Sequence, residues 1–400
     1  MLYGIAIVIL TTIIAFSFIG SNGKLKESDK QTLYGLYFFH LFMGFVYFIY
    51  VQFNRSDSYQ YYSRPKFDFH GTQWFDYFKP GTEFIEWAIW PFIKLFGFTY
   101  EASMALFCFF GFIGFYYFYL FFKERIKFRH KFFGIDLLTI FLFLPNMHFW
   151  TGSLGKGSLI FMGIGIFTYA LNKFNTRITL LIIGAFLIWG IRVPILMVMV
   201  AGAAVGFFIG AKNLKPAQKA FGVVIGIVGL IYSAQYTSSF LQLDEINDVG
   251  AYFDNRGNEL SRGAGSGVSI QNYNFFQKVF TFLYRPLFVD GVNALGMIVS
   301  VENVFLLLMT LKLFSVKAMK YLFRSDYMVK MAFVAYIGAA VGLSTIAGNL
   351  GIVIRLKTMI VYFLLFVVIQ YLDDQKMQRY IQFKKRQKRK QQLKELQSAA

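Results

Sequence analysis

An all-α transmembrane bundle of about eleven spans is the fold class this sequence predicts, and three observations carry the prediction. Of 400 residues, 56% are hydrophobic and 15% charged, where a soluble domain carries about 25% charge. The apolar residues gather in runs of about twenty, the length at which a helix crosses a hydrocarbon core about 30 Å thick. Lys and Arg fall in short segments between those runs. In a soluble protein a formal net charge of +19 would point to nucleic acid. Confined to the connections, it follows the positive-inside pattern instead, and no nucleic-acid partner is expected. The 51 Phe and 25 Tyr suit a lipid-facing surface with interfacial aromatic belts.

The spans are read at 2–20, 33–53, 101–122, 132–149, 158–172, 178–192, 193–211, 220–239, 289–311, 328–347 and 351–372. The first lacks a basic leader and a small-residue cleavage site, so it is read as a retained helix rather than a signal peptide. The 178–211 stretch holds two spans only if the chain turns near Arg192–Pro194, where the proline disfavours a helical conformation in the residue before it. Residues 1–372 thus form the transmembrane domain and 373–400 a basic cytoplasmic tail, solvated or bound to lipid headgroups, that carries Lys384, Lys385, Arg386, Lys388, Arg389 and Lys390. Segments 21–32, 123–131, 173–177, 212–219 and 312–330 share its basic excess. Eleven spans put all six on one side, with the N-terminus outside and the C-terminus in the cytoplasm. Two long outer segments remain, near 54–100 and 241–289. In the first, 84–98 is amphipathic but interrupted by Glu86, Pro91 and Lys94, and reads as an interfacial or re-entrant helix. The second, rich in Gly, Asp, Asn and Ser, reads as a flexible loop.

Ionisable groups in or beside spans are costly and mark function. Cys108 is the one cysteine, so disulfides and cysteine metal sites are excluded, and no His-x-x-x-His or paired-carboxylate spacing supports a metal. Asp57, Asp68, His70, Lys156, Arg192, Arg285 and Arg355 all map to the outer side. Lys156, Arg192, Arg285 and Arg355 together suit a phosphate or pyrophosphate, whose oxygens match the forked donors of arginine. Each has a plainer reading: snorkelling at a helix end for Arg192, the flank of a span for Arg285, glycine-assisted helix packing around Arg355. Lys156 stands in Thr151-Gly152-Ser153-Leu154-Gly155-Lys156-Gly157, which lacks the spacing of an ATPase phosphate loop; a Ser-x-x-Lys match at Ser153 and Lys156 has no transpeptidase domain around it. A glycine-rich break at a helix start can still hold an anion. Asp57 is a candidate base toward a sugar hydroxyl, or a helix cap. His70 and His148, also placed outside, are alternative bases. His40 falls mid-helix and His130 on the cytoplasmic side.

Taken together, Asp57-Ser58-Tyr59, the Trp150–Lys156 run, Arg192 with Tyr284-Arg285-Pro286, and Asn349-Leu350-Gly351 followed by Arg355 resemble the bacterial O-antigen and exopolysaccharide repeat-unit polymerases, including the EpsG-like branch. The resemblance implies a fold similar to the membrane-embedded class-C glycosyltransferases. It implies joining of oligosaccharides carried on undecaprenyl pyrophosphate, at the outer face of the inner membrane, with no nucleotide sugar, metal or cofactor. Arg192, Arg285 and Arg355 would hold the pyrophosphate, and Asp57 or a histidine would activate the acceptor. A chain-length regulator or an export pore is the protein partner it allows. One departure stands out: the late loop has Arg256 and Arg262 but no histidine. A transporter or flippase of a lipid-linked glycan is the first alternative, and it would call for repeated halves and a basic path through the bilayer. A membrane O-acyltransferase is the second, with His40 as its mid-membrane histidine.

Overall fold

A computed structural model describes residues 2–54, 56–210, 273–290, 294–345 and 348–399, with isolated positions at 216, 217, 220, 224 and 267. The expected span 220–239, the basic segment 212–219 and most of the 241–289 loop, with Arg256 and Arg262, lie outside these residues apart from those positions.

The described chain is almost entirely helical. Five of its helices are long and apolar enough to cross a membrane: α1 (Leu2–Gly20), α2 (Glu27–Phe53), α5 (Tyr100–Arg125), α9 (Ile178–Gly210) and α13 (Tyr327–Ser344). The number rises to seven if two bent pairs each count as one span. These are α11 (Ala294–Leu311) with α12 (Val316–Arg324), bent by 79°, and α14 (Leu350–Lys357) with α15 (Val361–Ala399), bent by 51°. The expected count of about eleven is therefore not reached among the described residues. Between α2 and α5 lie α3 (Ser58–Lys66) and α4 (Thr82–Lys94); α10 (Phe275–Tyr284) precedes α11.

One lost span is 132–149. Its start is a two-residue hairpin, β1 (Lys131–Phe132) against β2 (Ile135–Asp136), and its remainder two short helices, α6 (Leu137–Leu142) and α7 (Pro145–Thr151). Asp136 starts α6 by accepting from Leu138 N and Thr139 N, and Pro145, lacking an amide hydrogen, sits in the first turn of α7 and breaks the run there. The 16-residue α8 (Lys156–Leu171) is also short for a span.

The α9 segment turns where the proline suggests. Its backbone is helical except at Arg192 (φ −150°, ψ 87°). A straight helix would carry Phe207 about 40 Å beyond Ile178. Yet the Phe207 ring lies 5.3 Å from that of Phe174, before the helix begins. The two halves therefore double back at Arg192. The first half packs on α8: a Cβ on Gly184 would come 2.7 Å from Phe167 N. The second packs on α13 through Gly202, Gly206 and Gly210, where added Cβ atoms would meet backbone of residues 327–335 at 2.4–2.8 Å. Small residues at four-residue spacing let the two backbones approach this closely, the usual basis of helix association in lipid.

Ion pairs define one end of the bundle. Asp29 accepts from Lys123 and Tyr119, both at 2.7 Å. Arg177 meets Glu124 at 2.5 Å and His130 meets Asp373 at 2.6 Å. Arg125 pairs with Asp326, and Arg324 with Asp374. The basic segments 21–32, 123–131, 173–177 and 312–330 and the root of the tail thus meet at this end. The opposite end carries α3 and α4, with Trp74 stacked on Trp87 at 5.2 Å and Gly81 N bonded to Gly190 O, at the turn of α9, at 2.8 Å.

Candidate functional site

The end opposite the basic one gathers cations from three separate elements. Lys156 opens α8, directly after the turn Gly152–Gly155. The glycines of that turn serve packing: a Cβ on Gly152 would lie 2.9 Å from Gly44 Cα, and one on Gly157 2.1 Å from Trp150 O. Arg192 occupies the reversal of α9, at the apex of a helical hairpin. Its Nε is buried and has no hydrogen-bond partner. Arg355 lies on α14, which starts at Asn349; that side chain accepts from Gly351 N at 2.9 Å and Ile352 N at 3.4 Å. The Asn-Leu-Gly motif is thus a helix cap that sets the helix bearing Arg355.

These groups feel one another. The charges of Arg192, Arg355, Asp57 and Glu83 all act on Lys156, and that of Arg355 acts on Arg192. Asp57 precedes α3 but its side chain makes no cap; its carboxylate faces Arg355 at 3.5 Å. Tyr61 lies in the same field, and burial pushes its phenol well above the ordinary range, with Asp57 adding to the effect. Tyr47 bonds Ser56 at 2.9 Å beside them.

A second cluster, on α3, α4 and the loop between them, abuts the first. The Glu86 side chain has 0% exposure and lies 3.1 Å from both Arg64 Nη1 and His70 Nε2. Burial raises its carboxyl to about 7 against the opposing pull of Arg64, and Lys156 also acts on it. Asp68 is engaged elsewhere, by Lys94 at 2.7 Å.

Two expected site residues lie apart from this group. The Arg285 guanidinium is clasped by Asp290, with Nε–Oδ1 at 3.0 Å, and donates to the Tyr273 hydroxyl at 3.1 Å. Only its carbonyl faces α14, accepting from Lys357 Nζ at 2.9 Å. His148 is not on the outer side: it is fully buried inside the bundle, stacked 3.9 Å from Phe115. Its partner is His40, with Nδ1 atoms 3.0 Å apart. Each ring donates its Nε2 hydrogen to a carbonyl, His40 to Cys108 O at 2.9 Å and His148 to Leu142 O at 2.7 Å. With both Nε2 hydrogens so used, the Nδ1 contact is a hydrogen bond only when the pair holds one further proton. The sequence shows only two histidines 108 residues apart, so their meeting could not be read from it.

Further groups escaped the sequence reading. In the sequence Glu86 reads as an interruption of an apolar helix, yet a carboxylate inside an amphipathic aromatic stretch is itself a signal. Glu302 and Lys357 are 7% and 2% exposed within the bundle. Glu302 accepts from Asn146 N at 2.7 Å; Lys357 donates to Asn303 Oδ1 at 2.6 Å, and Asn303 to Pro286 O at 2.7 Å. This buried network ties α7, α11, α14 and the Arg285–Pro286 segment together. No three His, Cys, Asp or Glu side chains converge to hold a metal among the described residues.

The arrangement can hold an anion of more than one charge between Lys156, Arg192 and Arg355, with Asp57 and the His70–Glu86 pair at hand for proton transfer. No protein-family model, curated protein or solved structure matches this chain.

Proposed function

We propose that this protein polymerises oligosaccharide repeat units carried on undecaprenyl pyrophosphate, at the outer face of a bacterial inner membrane. In this reading the ion-paired basic end and the tail face the cytoplasm and the Lys156–Arg192–Arg355 end faces outward. The observation that carries it is the convergence of three cations from three helix termini, with one exposed carboxylate, at the end that lacks the basic connections.

The chemistry follows from that charge. As the bond between the donor sugar and its diphosphate breaks, negative charge grows on the departing oxygen. Fixed cations already aimed at it stabilise the transition state more than the ground state. The acceptor hydroxyl must lose a proton as it attacks. Asp57, beside the cations, and His70, 3.1 Å from Glu86, are the two candidate groups to take it. Arg285, its guanidinium held by Asp290, reaches α14 through its backbone carbonyl rather than gripping phosphate.

The test is complementation of a strain lacking the protein with Lys156→Ala, Arg192→Ala and Arg355→Ala, at matched protein levels. The reading expects single repeat units on the lipid carrier to accumulate in the outer leaflet. Repeat units held in the inner leaflet would favour a flippase, and normal polymer in all three variants would remove the cations from the mechanism.

A further inference from the structure

The basic end holds a cavity of about 570 Å³ between the start of α2 and the 126–130 segment, well within the range of ligand sites. Its lining includes Lys26, Lys127 and Arg129, with Leu138, Leu142 and Ile369. We propose that it binds the phosphate of an anionic phospholipid headgroup. This inference is independent of the outer-end reading.

Three observations carry it. The first is uncompensated charge. Several cations at this end are engaged: Lys123 by Asp29, Arg125 by Asp326, Arg177 by Glu124 and Arg324 by Asp374. Lys127 and Arg129 are exposed, and their side chains make no ion pair or hydrogen bond among the described residues. The carboxylates in the wall cannot answer them. Asp29 is taken by Lys123 and Tyr119, and Asp136 caps α6.

The second is the gradient of the walls. Ile126, Phe128 and Leu138 are half-buried in the lining, while Lys26, Lys127 and Arg129 are exposed. An apolar floor beneath a cationic rim fits an amphiphile whose phosphate sits at the rim and whose glycerol and first methylenes follow the floor. A free phosphate would leave that floor unfilled. The third is rigidity. The rim segment is fixed to α15 by three hydrogen bonds: Lys127 N and Phe128 N donate to Asp373 at 2.7 and 3.2 Å, and Lys376 Nζ donates to Arg129 O at 3.0 Å. A loop held by its backbone, with its charged side chains left over, is prepared for a ligand.

The experiment uses the full chain in nanodiscs of phosphatidylcholine with or without phosphatidylglycerol. Retained lipid is counted by native mass spectrometry after detergent release. The wild type should keep phosphatidylglycerol preferentially, and Lys127→Gln/Arg129→Gln should bind it about thirtyfold more weakly, at about a factor of five per cation. Lys317→Gln/Lys320→Gln, which removes equal charge from exposed positions of α12 outside the cavity lining, should bind as the wild type does. An equal loss in both variants would mean diffuse attraction and overturn the site. Displacement of the lipid by millimolar inorganic phosphate would assign the cavity to free phosphate and overturn the lipid assignment, as would equal retention of phosphatidylcholine.

Discussion

Glu86 is a carboxylate with no exposure, 3.1 Å from both the Arg64 guanidinium and the His70 ring, at the edge of the cation cluster. Its folded pKa, about 7, lies above the 4.5 of a free glutamate. The folded state therefore binds more protons than the unfolded state between those values, and stability falls as pH rises through that window. Glu86→Gln should flatten that slope: wild type should melt at a lower temperature at pH 8 than at pH 5.5, and the variant should lose most of the difference. An unchanged slope would mean that Arg64 holds the carboxylate ionised throughout. The two candidate bases separate at the same scale. If His70 takes the acceptor proton, His70→Ala should lower polymer formation by about 10²–10⁴-fold while Asp57→Asn leaves most of it, and Asp57 as the base would reverse the order. Polymer yield at matched expression reads the difference. Part of this site was legible as residues: Asp57, Lys156, Arg192 and Arg355 stand out as charges beside apolar runs, and the structure brings them together. Arg285 and His148 show the limit of that signal. A charge or imidazole near a span end is equally visible whether it faces the site, a neighbouring Asp290 or a distant His40, because the partner is fixed by packing.

At the scale of elements, the run lengths were informative and the connections were not. A twenty-residue apolar run reads as one span, but Pro145 divides 132–149 into α6 and α7. The 33 residues of α9 contain the reversal that Pro194 suggests, and the Phe174–Phe207 contact fixes it. The pairing of α9 with α13 rests on glycine, and two substitutions test it. Gly206→Leu would drive a side chain into Tyr327 O, which lies 2.4 Å from an ideal Cβ. It should lower the melting temperature sharply, with a cost of about 1–3 kcal/mol or more. Gly342→Ala, on α13 with nothing within 4 Å of its Cβ, should be neutral or stabilise by up to about 1 kcal/mol. Equal tolerance of both in a thermal shift assay would contradict the close α9–α13 contact.

For the whole molecule, each end pairs some of its cations with acids and leaves others without an ion-pair partner. At the basic end cations meet acids from distant segments; Arg125 and Asp326, for example, lie 201 residues apart. At the other, Lys156 and Arg192 have no ion-pair partner among the described residues. The grouping of basic segments at one end follows from the positive-inside pattern, which is a property of composition and therefore visible in sequence. The number of spans was not, because short helices, bends and a helical hairpin relate run length to crossings only loosely. The proposed orientation predicts that a cysteine placed in the tail at Ser398, in a Cys108→Ala background, reacts with a membrane-impermeant maleimide only after the membrane is opened. One placed at Gln73 should react in intact spheroplasts. The central claim is that Lys156, Arg192 and Arg355 grip a diphosphate, and its most direct measurement is undecaprenyl pyrophosphate binding to the purified chain in nanodiscs. Wild type should bind the diphosphate more tightly than undecaprenol, and Arg192→Ala/Arg355→Ala should erase that preference. Equal binding of diphosphate and alcohol by the wild type, or an undiminished preference in the double variant, would contradict it.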